Sequence, residues 1–254
     1  MARPDPRQSA SVRTARPTVA AAVAFAAAAT ATLVAAACDG APAAPAGAAA
    51  PAAPLDPVSS PDWARDMERF AAADAASPPP AHPVVFTGSS SIRMWTTLAE
   101  DFPGVPVLNR GFGGSQLRDA VWYADQLVVH YRPRAVVLYA GDNDLNAGRS
   151  PEQVLADFRA FVARVRRDLP DTPIAYLSIK PSPSRAHLMG KMREANALLR
   201  AEARRMVRVA FIDVYTPMLG ADGQPRPELF LEDRLHMNRA GYQLWRELVA
   251  PALR

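Results

Sequence analysis

Residues 84–95 read VVFTGSSSIRMW, and this stretch decides the fold. The apolar run Val84–Phe86 reaches Gly88, three consecutive serines follow, and the pattern then turns amphipathic. A run this short, ending in a glycine and polar residues, suits a fully buried strand better than a helix. Working outward, the same kind of run recurs at Val105–Leu108, Ala135–Ala140, Ile174–Ser178 and Val209–Asp213. Between these runs the period changes to that of a helix. In PEQVLADFRAFVARVRRDLP, residues 151–170, Val154, Phe158, Phe161, Val165 and Leu169 fall on one stripe, as do Leu188, Met192, Ala195, Leu199 and Met206 further on. Five buried strands separated by helices predict an α/β fold: a mostly parallel five-stranded sheet between two helical layers, a three-layer αβα sandwich.

Sheets of this kind place ligands beyond the carboxyl ends of their strands, so the residues after each apolar run carry the functional question. They are Gly88-Ser89-Ser90-Ser91, then NRGFGGS (109–115), then GDND (141–144); near the C-terminus EDRLHMNRAGY sets Asp233 and His236 three apart ahead of a last helix. Each has a plain reading. Serines at strand ends make turns and helix caps. The glycines could form an ordinary turn or a phosphate loop, although the spacing departs from G-x-G-x-x-G and no phosphate-binding lysine follows. GDND could be a turn or a pair of metal carboxylates, and Asp233 with His236 could cap the helix.

Taken together they offer what ester hydrolysis needs at one sheet edge: a nucleophilic oxygen, a base, a group to orient the base, and donors for the oxyanion. A serine opening a helix can be the nucleophile. His236 is the base by placement, since His82 precedes the first strand, His130 lies within a helical pattern and His187 begins another. Asp233 can accept from the other imidazole nitrogen and fix the tautomer. Gly114 lets its backbone N–H approach a substrate oxygen, with the Asn143 amide beside it.

In these blocks the sequence resembles the SGNH, or GDSL-type, hydrolase family. Gly88-Ser89-Ser90 resembles the family's Gly-Asp-Ser, NRGFGGS its glycine block, Gly141-Asp142-Asn143-Asp144 its Gly-x-Asn-Asp, and Asp233-Arg234-Leu235-His236 its Asp-x-x-His. The resemblance covers most of residues 61–254 and implies a flavodoxin-like SGNH fold and a serine esterase that needs neither metal nor organic cofactor. It implies Ser90, Asp233 and His236 as catalytic residues and Ser90, Gly114 and Asn143 as the oxyanion hole. Ser89 stands where the family keeps an aspartate, which bears on turn hydrogen bonding rather than on the nucleophile. LNRGFGGSQ looks most similar to the platelet-activating-factor acetylhydrolase branch. That branch's own substrate is not carried over; a small ester, an acylated sugar or lipid, is the substrate class that suits a periplasmic or surface location. Two rival readings stand beside it: a metal-dependent phosphoesterase using Asp142, Asp144, Asp213 and His236, and a non-catalytic glycan- or lipid-binding lipoprotein. Arg93, Trp95 and Phe112 flank the blocks, and KPSPSR (180–185) follows the fourth strand as a rim loop or a solvated proline loop.

The N-terminal part has a different character. Residues 1–37 hold Arg3, Arg7, Arg13 and Arg16 against Asp5, then the apolar run Thr18–Ala37, and the only cysteine of the chain follows as Cys38. This pattern is that of an export signal, and it resembles a bacterial lipoprotein signal in which Cys38 is lipidated, with Ala35 where a leucine is usual. A simple cleavage at Ala-x-Ala is the alternative. Residues 38–60, rich in Ala and Pro, read as a tether. Setting aside the leader's four basic residues and one acidic residue, totals of 29 and 25 become 25 and 24. Such a balance gives no case for nucleic-acid binding. Membrane contact is expected only through the N-terminal lipid anchor, with the enzyme facing the periplasm or the cell exterior.

Overall fold

The computed structural model describes residues 60–253 of the chain. The leader, Cys38 and the tether up to residue 59 lie outside the described residues. Among those described, no helix is long and apolar enough to cross a membrane.

In chain order the elements are α1 (Ser60–Ala76), β1 (Val84–Gly88), α2 (Ser90–Arg93), α3 (Leu98–Asp101), β2 (Val107–Gly111), α4 (Leu117–Trp122), α5 (Ala124–Leu127), β3 (Ala135–Tyr139), α6 (Asp142–Asn146), α7 (Pro151–Asp168), β4 (Ile174–Leu177), α8 (Met189–Ala203), β5 (Val209–Ile212) and α9 (Arg239–Val249). All five strands pair in parallel in the order β2-β1-β3-β4-β5. The expected α/β sandwich is the observed one. Each expected strand is present, and β2 begins two residues later than its apolar run, at Val107. Pro106 has no N–H for the ladder and offers only its carbonyl, which accepts from the Val84 N–H at 2.8 Å.

Strand side chains alternate between two cores. Val85, Val136, Leu138, Ile174 and Tyr176 face one core with α4, α7 and α8, while Val84, Phe86, Val137, Tyr139 and Leu177 face another with α9. The second core is aromatic: Trp95 packs against Phe86, Phe102, Tyr242 and Trp245 with ring centroids 5.3 to 6.1 Å apart. Burying each such side chain stabilises by roughly 1.5–3 kcal/mol, so these rings hold α9 on the sheet, and α9 fixes the chain just ahead of it. The stripe on α7 is buried as its period requires. That helix starts sharply because Ser150 Oγ accepts from the Gln153 N–H while Gln153 Oε1 accepts from the Ser150 N–H, a reciprocal cap of roughly 1 kcal/mol.

The register sets the level of the site. Gly88 pairs with Gly111 on one side and Tyr139 on the other, so β1, β2 and β3 end together. Their next residues emerge along one edge, where the chain order of the sheet reverses between β1 and β3. Gly88 turns there with φ +123°, and a Cβ on it would lie 1.8 Å from the Tyr139 carbonyl oxygen. No other residue fits where β1 meets β3 that closely.

Candidate active site

Ser90 opens α2 directly beyond β1 and is partly exposed, whereas Ser89 and Ser91 on either side are buried. As the first helical residue, Ser90 keeps its backbone N–H among the unpaired N-terminal donors of the turn. Its Oγ lies 3.0 Å from His236 Nε2, and His236 Nδ1 lies 2.6 Å from Asp233 Oδ2. A carboxylate only accepts, so Nδ1 carries the proton and Nε2 is left to accept from the serine hydroxyl.

Asp233 and His236 sit not on a helix but in a tight turn, with Arg234 at φ +56°. Asp233 Oδ1 accepts from the backbone N–H groups of both Leu235 and His236 at 2.9 Å. The aspartate therefore builds the turn with one oxygen and orients the imidazole with the other. Burial pushes its carboxyl up, but the hydrogen bonds from the His236 ring and the two N–H groups outweigh burial and hold it at about 2. Asp233 is thus ionised at any pH where the imidazole can act as a base.

Gly114 and Asn143 approach from the ends of β2 and β3. Gly114 has φ +81°, and a Cβ there would meet the Trp63 ring at 3.2 Å. Trp63 comes from α1, which is tied to β2 by Arg110: its guanidinium pairs with Asp74 and donates to the Tyr131 hydroxyl at 2.8 Å. Asn143 Nδ2 donates to the Ser115 carbonyl at 2.9 Å. Asp144, fully buried, accepts from the Leu117 N–H at 3.0 Å. Two neighbouring side chains of α6 thereby clamp the loop that carries Gly114. Burial, with a smaller push from Asp157, drives the Asp144 carboxyl up to about 7 against the lowering by the Leu117 N–H and Arg149.

Every residue singled out from the sequence blocks is therefore at one edge of the sheet. The other three histidines are elsewhere: His82 bonds the Arg132 carbonyl, His130 stacks edge-on against Tyr131, and His187 lies in a short 3-10 segment ahead of α8. Trp95 and Phe112 are core residues, whereas Arg93 is exposed. The set named for a metal phosphoesterase does not converge. Asp213 binds Arg200 and Thr216, Asp142 pairs with Lys180 and Arg185, and Asp144 holds Leu117. Among the described residues, no three His, Cys, Asp or Glu side chains are grouped as metal ligands.

Two contributors were not legible in the sequence. Trp63 belongs to α1, and nothing in the sequence around it links that helix to Gly114. The KPSPSR segment is neither a solvated loop nor a simple rim: Lys180 is buried, and Arg185 donates to Asn143 Oδ1 at 3.0 Å. The available signal was its position, two cations placed just beyond the carboxyl end of a strand.

Residues 80–244 match the sequence profile of the GDSL-like Lipase/Acylhydrolase family. No curated protein matches the chain in sequence. Among solved structures, a candidate platelet activating factor protein from Streptococcus pneumonia is similar at 22% identity, with TM-score 0.68, over 76% of this chain and 94% of its own. A GDSL-like lipase from Bacteroides thetaiotaomicron has 22% identity and TM-score 0.64 over 74% of this chain and 96% of its own. A catalytic mutant of an acetylxylan esterase from Geobacillus stearothermophilus has 14% identity and TM-score 0.56 over 69% and 95%. At these identities the structural likeness is one of fold.

Proposed function

Since the chain belongs to the GDSL-like lipase/acylhydrolase family, a family of hydrolases acting on ester bonds, we propose that it cleaves short-acyl carboxylic esters with Ser90 as nucleophile, His236 as general base and Asp233 as its orienting partner. The observation that carries this reading is the continuous line Ser90 Oγ, His236 Nε2, His236 Nδ1, Asp233 Oδ2, with links of 3.0 and 2.6 Å.

Ser90 Oγ attacks the acyl carbonyl as its proton passes to His236 Nε2, and Asp233 stabilises the imidazolium without taking the proton itself. The carbonyl oxygen becomes an oxyanion received by the Ser90 and Gly114 N–H groups and the free Nδ2 hydrogen of Asn143. His236 then protonates the departing alcohol, and an acyl-serine remains. Water, deprotonated by His236, attacks that ester and releases the acid. The His236 side chain is 22% exposed and Asp233 48%, an open setting that suits a short acyl group on a bulky alcohol, such as an acylated sugar or a lipid. Export through residues 1–37 and lipidation of Cys38 would hold the enzyme at a membrane facing the periplasm or cell exterior. Loss of acyl labelling in Cys38→Ala tests that placement.

The functional test is a panel of p-nitrophenyl esters of graded acyl length together with acetylated sugars, assayed on the wild type and on Ser90→Ala. Turnover that falls with acyl length and disappears in Ser90→Ala, with an organophosphate labelling Ser90 alone, is the expected result. Full activity in Ser90→Ala, or its loss only in Ser89→Ala or Ser91→Ala, overturns the assignment.

A further inference from the structure

Behind Asn143 lies a charged cluster that the scheme above does not use. The Asp142 carboxylate sits between two cations. Its Oδ2 is 3.0 Å from Arg185 Nη1 and 3.4 Å from Lys180 Nζ, and its Oδ1 accepts from the Asn143 N–H at 3.0 Å. Exposure of the three side chains is 1% for Lys180, 6% for Asp142 and 12% for Arg185. Charges are rarely held this far from water unless each finds partners.

We propose that Arg185 is a positioning residue for ester hydrolysis, clamping the Asn143 amide so that Nδ2 faces the developing oxyanion. This rests on Asn143 being an oxyanion donor. A guanidinium offers only donors and a backbone carbonyl only accepts. With Arg185 Nη2 at 3.0 Å on one side and the Ser115 oxygen at 2.9 Å on the other, the amide has a single satisfied orientation: Oδ1 toward Arg185 and Nδ2 toward Ser115. One Nδ2 hydrogen is taken by Ser115 and the second remains for substrate. Accepting from a cation also polarises the amide, which strengthens that remaining N–H as a donor.

The fork of the guanidinium matters to this arrangement. Nη1 reaches Asp142 while Nη2 reaches Asn143, two consecutive residues at the start of α6, and a single ammonium cannot span both in the same geometry. The Arg185 guanidinium brings its positive charge directly against the amide, on which negative charge bears in the transition state. The segment also braces the opposite wall of the site, because the Ser184 N–H donates to the Arg234 carbonyl at 3.0 Å, inside the turn that carries His236.

The test is a double-mutant cycle on kcat and KM for p-nitrophenyl acetate with Arg185→Lys, Arg185→Met, Asn143→Ala and the two combinations, each checked for folding by thermal unfolding. The clamp predicts that Arg185→Lys lowers kcat by about 10-fold and Arg185→Met by up to about 100-fold, the scale set by loss of one oxyanion donor or its misplacement. KM should stay within about twofold, as for an interaction made only in the transition state. With Asn143→Ala already present, either change should cost less than about threefold. Effects that multiply across the cycle, or a loss confined to KM, overturn the clamp while leaving Asn143 a donor. An Asn143→Ala variant with unchanged kcat overturns the oxyanion reading and the clamp with it. If Arg185→Met does not fold, Arg185→Lys, which keeps the charge against Asp142, decides the matter.

Discussion

Two aspartates of the site, Asp233 and Asp144, have had their carboxyls shifted in opposite directions by their surroundings. Asp233 is about half exposed and receives three donors, and its carboxyl is held at about 2. Asp144 has no exposure, and its carboxyl is driven up to about 7. Burial disfavours the charged form of both, and what separates them is whether hydrogen-bond donors outweigh it. The contrast assigns different work to the same residue type: Asp233 is a fixed anion that orients a base, while Asp144 ties the α6 turn to the Gly114 loop.

The largest test of this division is at the nucleophile served by the exposed aspartate. Ser90→Ala should reduce kcat by about a million-fold with an unchanged unfolding midpoint, by analogy with serine hydrolases in general. A residual rate near wild type would remove the reason for Asp233 to be ionised at all. Next comes Asp233→Asn, which offers His236 a donor where Nδ1 needs an acceptor. It should cost about ten-thousand-fold in kcat, and equal activity of the two forms would show that the pair only shapes the turn.

The buried partner should respond differently. Asp144→Ala leaves the Leu117 N–H unpaired in the interior and should destabilise the fold by about 1–3 kcal/mol in denaturant unfolding. If it instead matched Asp233→Asn in lost turnover at full stability, the two aspartates would not differ in role. The smallest step is the pH dependence, read one pH unit at a time. Since the folded carboxyl of Asp144 is raised above 3.8, its contribution is fully present below that value and is lost as pH rises through about 7. Between about pH 4 and 7, wild type should therefore lose stability relative to Asp144→Asn by at most about 1.4 kcal/mol per pH unit. Asp233 has the opposite sign: its contribution is present above 3.8 and fades as pH falls toward about 2, and solvent screening at this exposed site keeps it small. A parallel pH profile for wild type and Asp144→Asn would count against the raised carboxyl.

Much of this site could be read from one strand end. The serine triplet stands out because the apolar run Val84–Phe86 ends at Gly88, and Ser90 is singled out within it by the resemblance of Gly88-Ser89-Ser90 to the family's Gly-Asp-Ser. The work of Asp144 was not readable in this way. GDND looks the same whether its aspartates face a metal, solvent or a backbone N–H, and only the approach of Leu117 from a distant segment selects the last. KPSPSR misled for a related reason: prolines and serines suggest solvated loops, yet here they carry Lys180 and Arg185 inward against Asp142.

By itself the sequence determined the periods: five short buried runs, the helices between them, the glycines that let strands turn, and the polar residues stationed after each run. Those are local properties, set by steric limits and by the alternation of apolar side chains. The tertiary structure alone decided that Ser90 Oγ comes within 3.0 Å of His236 Nε2, that Trp63 from a preceding helix backs Gly114, and that Arg185 grips Asn143. Those contacts join segments far apart in the chain. Strand register, parallel pairing and the aromatic packing under α9 fix them, and none of these can be summed from neighbouring residues.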